Sequence, residues 1–212
     1  MSGSTQGIGF AIARQLAAEG ASVIINGRSQ QKVDNVVQRL QQEYPNANIS
    51  GMVADFSIAS EIDTLIAALP HIDILINNVG IFELKPFEAT SDEDWTRFFE
   101  INVMSGVRLS RVLLPKMIAN NQGRVIFISS ESGINIPENM IHYGMTKTAM
   151  ISLSNGLAKL TKGTQVTVNT ILGGPTYSDG VAATIQQIAS GTHNLSKNIG
   201  GTSCGNQLFN IQ

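Results

Sequence analysis

Tyr143 and Lys147 stand four residues apart in His142-Tyr143-Gly144-Met145-Thr146-Lys147, a spacing that puts two side chains on one helix face. Ala149, Met150, Leu153, Leu157 and Leu160 follow at helical intervals, so a helix is expected from Tyr143 onward. A free phenol, with a pKa near ~10, is a poor acid-base group at neutral pH. A neighbouring ammonium favours the phenolate and draws that pKa toward the working range, and Lys147 is placed to supply the charge. A hydroxyl from Ser130 would hold a carbonyl oxygen while Tyr143 donates its proton, the arrangement that carbonyl reduction by hydride requires.

These groups need elements to position them. Residues 124–128, Arg-Val-Ile-Phe-Ile, read as a buried strand that delivers Ser129 and Ser130 to its carboxyl end, where open α/β sheets bind ligands. Taken alone the signal is weak. With seven lysines and three tyrosines in 212 residues, chance supplies such a pair in roughly one chain in ten, and two serines after a strand are ordinary turn material. The weight falls on whether a dinucleotide site precedes them.

The chain opens on Gly3-Ser4-Thr5-Gln6-Gly7-Ile8-Gly9, after which Ile8, Ile12 and Leu16 mark a helix face that stops at Gly20. Such a loop lets backbone N–H groups approach a pyrophosphate, and the helix dipole favours the negative charge. The competing reading is a flexible glycine-rich terminus, and no strand precedes the loop. Residues 22–26 form a β-rich run, followed by Gly27-Arg28-Ser29 and a helix with Val33, Val36, Val37 and Leu40 on its apolar face. At this strand end an acid suits the ribose of NAD and an arginine the 2′-phosphate of NADP. Positions 26–28 carry no acid and Arg28 is present, so NADP is expected rather than NAD.

A third strand over 48–53 leads to Asp55 and Phe56, a helix carries Ile58, Ile62, Leu65, Ile66 and Leu69, and a strand over 71–76 ends at Asn77-Asn78-Val79-Gly80. A long helical region spans 91–120, with acids at its start and Pro115 expected to kink or break its later part. Asn102 lies in its middle, where read alone it is a solvent-facing polar residue. A last strand over 165–172 precedes Gly173-Gly174-Pro175-Thr176. This alternation predicts an α/β fold with a doubly wound parallel sheet.

With 42% hydrophobic residues the chain suits one domain with a sizeable core. A net charge of −2 and 14% charged residues give no basic face for nucleic acid or an anionic membrane. No apolar run reaches the ~18 residues of a membrane span and no basic-then-apolar leader is present, so the cytoplasm is expected. Cys204 is the only cysteine, and His71, His142 and His193 lie far apart, so no disulfide or metal site is expected.

In this order Gly3-x-x-x-Gly7-x-Gly9, Asn77-Asn78-Val79-Gly80, Asn102, Ser130 and Tyr143-x-x-x-Lys147 closely resemble the short-chain dehydrogenase/reductase family. The resemblance runs from about residue 2 to 181 and implies a Rossmann-type three-layer fold, a nicotinamide cofactor, and reversible oxidation of a secondary alcohol to a carbonyl. It makes Tyr143 the acid-base residue and Lys147 its pKa modifier and a ligand of the nicotinamide ribose. Ser130, thirteen residues before Tyr143, would orient the substrate oxygen, and Asn102 would support Lys147 through water in a proton relay. It assigns Gly3, Ser4, Thr5, Gln6 and Ile8 to the pyrophosphate, Arg28 to the adenosine phosphate, Asp55 and Phe56 to the adenine edge, Asn78 to the ribose region and Thr176 to the carboxamide side. A 3-oxoacyl thioester is one substrate class it suggests, with a homo-oligomer, dimer or tetramer, for a full-length counterpart.

Some positions depart from the pattern. Val79 replaces the usual alanine, and Gly173 stands where proline is commoner. The family's first strand, central in its sheet, and its C-terminal strand are absent, and loss of the first leaves two neighbours with unpaired edges. The expected incomplete domain covers 1–181, and 182–212 reads as a polar, disordered or non-homologous tail. A truncated or mis-bounded reading frame is the corresponding expectation. An inactive nucleotide-binding remnant is the alternative function. Sugar-nucleotide epimerases share Tyr-x-x-x-Lys but differ in glycine spacing, and a serine hydrolase would need a Gly-x-Ser-x-Gly elbow that Ser130 lacks.

Overall fold

The computed structural model describes residues 1–174. Thr176 and the 182–212 stretch lie outside them, as does the expected boundary at 181. Runs of β-branched residues alternate with amphipathic segments to give five strands and six α-helices among the described residues: α1 Gly7–Ala18, β1 Val23–Gly27, α2 Gln30–Glu43, β2 Ile49–Val53, α3 Ala59–Ala68, β3 Ile74–Asn77, α4 Asp92–Phe99, α5 Ser105–Ala119, β4 Gly123–Ser130, α6 Ile141–Leu160 and β5 Val166–Gly173.

Every ladder is parallel, as the βαβ alternation predicts. β1 pairs with β2 with Val23 opposite Ile49, β3 pairs with β4 with Ile74 opposite Arg124, and β4 pairs with β5 with Gly123 opposite Val166. The strands form two groups, β1-β2 and β3-β4-β5. The first four residues bridge them. The Met1 ammonium donates to Ile24 O (3.1 Å), Ser2 N–H to Ile76 O (3.1 Å) and Ser4 N–H to Asn26 O (2.8 Å). Met1 and Ser2 thus bond to opposite sides, as the end of a central strand does, and the sheet is open beyond them.

Two apolar clusters hold the layers. Ala13, Ala17, Val23, Ile25, Val33, Val36, Leu40 and Ile49 join α1 and α2 to β1 and β2, while Phe56, Ile62, Leu75, Leu113, Met117, Phe127, Met150 and Val168 lie in the other. Burying each large side chain stabilises by about 1.5–3 kcal/mol. Ser29 caps α2 by accepting from Lys32 N–H, and Ser91 with Asp94 forms a capping box on α4.

Several expectations change. The buried face of α1 is Gly9, Ala13 and Ala17, not Ile8, Ile12 and Leu16; small residues let the helix close on β1, and Ile8 stays 38% exposed. Pro115 lies inside an unbroken α5, where buried Leu113, Leu114 and Met117 offset the one hydrogen bond its ring removes. Asn102 faces inward, at 1% exposure. It sits in a π turn, Glu100–Met104, between α4 and α5, and the wider turn rotates it out of simple helical phase. β4 also runs two residues further than expected, so Ser129 and Ser130 belong to the strand itself.

Candidate functional site

Because the strands are parallel, their carboxyl ends share one edge, and the segments leaving β1, β3 and β4 meet there with the start of α1. Gly3 and Gly7 have positive φ, +60° and +57°, which favours glycine. A Cβ on Gly9 would fall 2.2 Å from Gly3 O. The loop is tied on both flanks: Asn26 Oδ1 accepts from Gly3 N–H (3.1 Å), and Asn78 Nδ2 donates to Gly3 O (2.8 Å). Ser2 Oγ accepts from the N–H groups of Asn78 (3.0 Å) and Val79 (3.2 Å). Val79 packs its Cγ2 against Gly3, 3.2 Å from where a Cβ would lie.

Ser4 is fully buried and its hydroxyl bonds to Met1 O and Asn26 N–H. Its N–H donates to Asn26 O, so of the expected pyrophosphate group Ser4 has both its hydroxyl and its backbone donor engaged within the protein. Gln6 and Ile8 are exposed, Thr5 lays its methyl beside Gly27, and α1 begins without a side-chain cap. Its first-turn N–H groups are thus available to an anion. This cradle fits the phosphates of a dinucleotide.

At the adenosine end, Arg28 is exposed in the turn after β1. Burial pushes the Asp55 carboxyl up, but hydrogen bonds from Ser57 and the Arg28 charge bring it net below the usual range, so Arg28 and Asp55 are neighbours. Phe56 is a core side chain at 3% exposure and its ring packs in the larger apolar cluster, so any contact at the expected adenine edge would fall to its backbone.

At the other end, Tyr143 and Lys147 share a face of α6, with Lys147 Nζ 5.5 Å from the Tyr143 ring centroid. Lys147 is 5% exposed and donates to Ile128 O (3.1 Å). Burial pushes its ammonium down from 10.5 to about 8. The phenol of Tyr143 is raised by burial, partly offset by the Ser130 hydroxyl. Without a ligand the net shift of the phenol is thus upward: Nζ is bonded to a carbonyl, and desolvation of the phenol prevails. Ser129, by contrast, turns inward and donates to Lys147 O (2.9 Å).

Asn102 donates from Nδ2 to Ile81 O and to Thr146 Oγ1, both 3.0 Å, and accepts from Ile81 N–H at Oδ1 (2.7 Å). A Cβ on Gly80 would lie 3.3 Å from Lys147 Nζ and 3.5 Å from Asn102 Oδ1, so these groups border one small space. Thr146 links the cluster by donating to Tyr143 O (2.7 Å). Sequence reasoning missed Thr146, although its place one turn after Tyr143 is a usable signal. It also missed Ser2 and Asn26.

One apolar ring stands against the phenol, and further exposed apolar side chains lie on the segment before α6. Phe82 stands edge-on to the Tyr143 ring at 6.4 Å, and Ile136 packs over Gly144. Phe82, Ile134 and Ile136 are 39%, 64% and 45% exposed. Lys85 N–H donates to Asn139 O (2.8 Å) and joins the two loops that carry them. No cluster of three or more metal-ligating side chains occurs among the described residues.

A parallel sheet with an uncapped glycine-rich helix start, a buried lysine and a tyrosine at its carboxyl edge defines a nicotinamide-dependent oxidoreductase. A family model for the short chain dehydrogenases matches residues 1–189, and the chain belongs to the short-chain dehydrogenase/reductase family. It is 48% identical over 192 residues to "Uncharacterized oxidoreductase YvrD" of Bacillus subtilis (strain 168), covering 89% of this chain and 72% of that one. To "Uncharacterized oxidoreductase YvaG" of the same organism it is 45% identical over 191 residues, 90% and 72% of the two chains. Among solved structures, the 3-oxoacyl (acyl-carrier-protein) reductase of Agrobacterium tumefaciens C58 with NADP bound superposes with a TM-score of 0.82 at 29% identity, over 92% of this chain and 76% of that one.

Proposed function

We propose that this chain interconverts a ketone and a secondary alcohol with NADP(H), with Tyr143 as the general acid and base. The observation that carries this reading is the gathering of Ser130, Tyr143, Lys147 and Asn102 beside the glycine loop. Bound NADPH would supply the hydride. Ser130 and Tyr143 would hold the carbonyl oxygen, and Tyr143 Oη would release its proton as negative charge grows there. Lys147 would bind the nicotinamide ribose and favour the phenolate left behind. Water in the space bordered by Asn102 and Lys147 would return the proton.

Arg28, with no acid at 26–28, supports NADP over NAD through a charge for the 2′-phosphate. Phe82, Ile134 and Ile136 support a ketone with an apolar chain, and the NADP-bound 3-oxoacyl reductase makes a 3-oxoacyl thioester the substrate class to try first. A homo-oligomeric full-length form and a cytoplasmic location are part of the same proposal; among the described residues no helix is long and apolar enough to cross a membrane.

The test is NADPH oxidation by the purified 212-residue chain with acetoacetyl thioesters, aliphatic ketones and charged ketones, and with Tyr143→Phe alongside. Turnover with the apolar members, lost in the variant, is the expected result. NADPH binding without turnover on any ketone would favour a second reading, a nucleotide-binding remnant.

A further inference from the structure

Tyr143, Lys147 and Met150 lie on one stripe of α6, each about one turn or less from the next. Met150 is a core side chain, 2% exposed, in the larger apolar cluster. Its sulfur nevertheless faces the ammonium. Lys147 Nζ donates to Met150 Sδ at 3.7 Å, within hydrogen-bond reach of sulfur, as well as to Ile128 O at 3.1 Å. Among the described residues no carboxylate forms an ion pair with Lys147. The titratable side chain beside it is Tyr143, whose ring centre is 5.5 Å away.

An ammonium is all donor and no acceptor, and a donor left unpaired away from water is costly. Ile128 O takes one N–H and Met150 Sδ a second. The other side of Nζ borders the space next to Gly80, where a Cβ would come 3.3 Å from Nζ and 3.5 Å from Asn102 Oδ1. Packing alone does not call for sulfur at this position, since leucine fills a similar volume. What methionine adds is a polarizable acceptor on an unbranched chain, and apolar surroundings strengthen its contact with a charge. The two acceptors come from different elements, Ile128 from β4 and Met150 from α6, so Nζ is gripped where strand and helix pack.

We propose that Met150 is a positioning residue for Lys147: its thioether and Ile128 O together fix the ammonium so that its remaining N–H points into the space bordered by Gly80 and Asn102. The consequence for turnover rests on the proposed reaction, whereas the grip on Nζ does not.

The test is a pH titration by NMR of the 212-residue chain carrying isotope-labelled lysine and methionine, with the Lys147 signal assigned by its loss in Lys147→Met. Burial places this ammonium at about 8, within easy reach of such a titration. In the unaltered chain the Met150 methyl and Lys147 Cε signals should move with one midpoint. In Met150→Leu the Lys147 midpoint should fall by about half a pH unit, because the charged form loses an acceptor. Met150→Gln returns an acceptor of similar reach and should restore it. With a ketone and NADPH, kcat should drop about threefold in the leucine variant and recover in the glutamine variant, at unchanged KM for the ketone. A wild type that reduces no ketone would count against the proposed reaction and leave the titrations to decide on Met150. A methyl signal silent through the Lys147 midpoint, or a leucine variant with the wild-type midpoint, would overturn the proposal.

Discussion

Lys147 Nζ lies 5.5 Å from the centre of the Tyr143 ring while donating to Ile128 O, so the two groups share a helix face without a direct bond. In the proposed reaction proton transfer and charge supply would therefore sit on separate side chains, and substitutions should separate them. Tyr143→Phe is expected to lower turnover by ~10²–10⁴ while the dissociation constant for NADPH stays within a few fold. Single-turnover rates and fluorescence titration of the same sample measure both. Retained turnover would remove Tyr143 from the chemistry.

Lys147→Met should abolish turnover and yet raise the melting temperature at neutral pH. The folded chain holds this ammonium at about 8, against 10.5 for the free group. Between those values the unfolded chain keeps a proton that the folded one has lost, so wild-type stability climbs as pH rises through this window. Below about 8 the buried charge is a standing cost, which the variant lacks. Thermal scans against pH should show the variant melting higher at neutral pH and the gap closing above about 10. A wild type that melts higher at neutral pH contradicts this.

Arg28→Ala should weaken NADPH binding by about tenfold or more, the worth of one charge-assisted contact, and leave NADH nearly unchanged. Parallel titrations with the two dinucleotides give the ratio. Equal losses would undo the assignment of Arg28 to the 2′-phosphate.

Gly80→Ala places a methyl 3.3 Å from Lys147 Nζ and 3.5 Å from Asn102 Oδ1, in the space assigned to the returning proton. Turnover is expected to fall about tenfold, roughly 1.4 kcal/mol in the barrier, with little change in melting temperature. Wild-type turnover in this variant would show that the space is not used.

Gly9→Ala is the contrasting case, because its methyl meets a backbone carbonyl, Gly3 O, at 2.2 Å. The loop must shift, so both stability, by about 1–3 kcal/mol, and NADPH affinity should drop. Urea melts and titrations check the two together. A variant that loses neither would mean that the loop adapts freely.

The strands and the Tyr143–Lys147 pairing were legible because each rests on local pattern: β-branched runs of the right length and a four-residue step on a helix. The inward turn of Asn102 was not legible from local pattern and came only with the resemblance, since one wider turn inside 91–120 leaves the apolar spacing on either side almost unaltered. The inward face of α1 was misread because Gly9, Ala13 and Ala17 carry little hydrophobic signal, although smallness is what lets the helix close on β1. Ser2 and Asn26 were missed for a different reason: they act across 76 and 23 residues of chain, a separation that no local window spans. The pKa of Tyr143 also needed burial, which spacing alone does not carry.

Ser2 is hooked to β3 and Ser4 to β1, so a dinucleotide resting on the opening loop would hold both flanks of the molecule at once. Resistance of the chain to proteolysis would then follow the supply of dinucleotide, oxidised and reduced alike, since both carry the pyrophosphate the loop would hold.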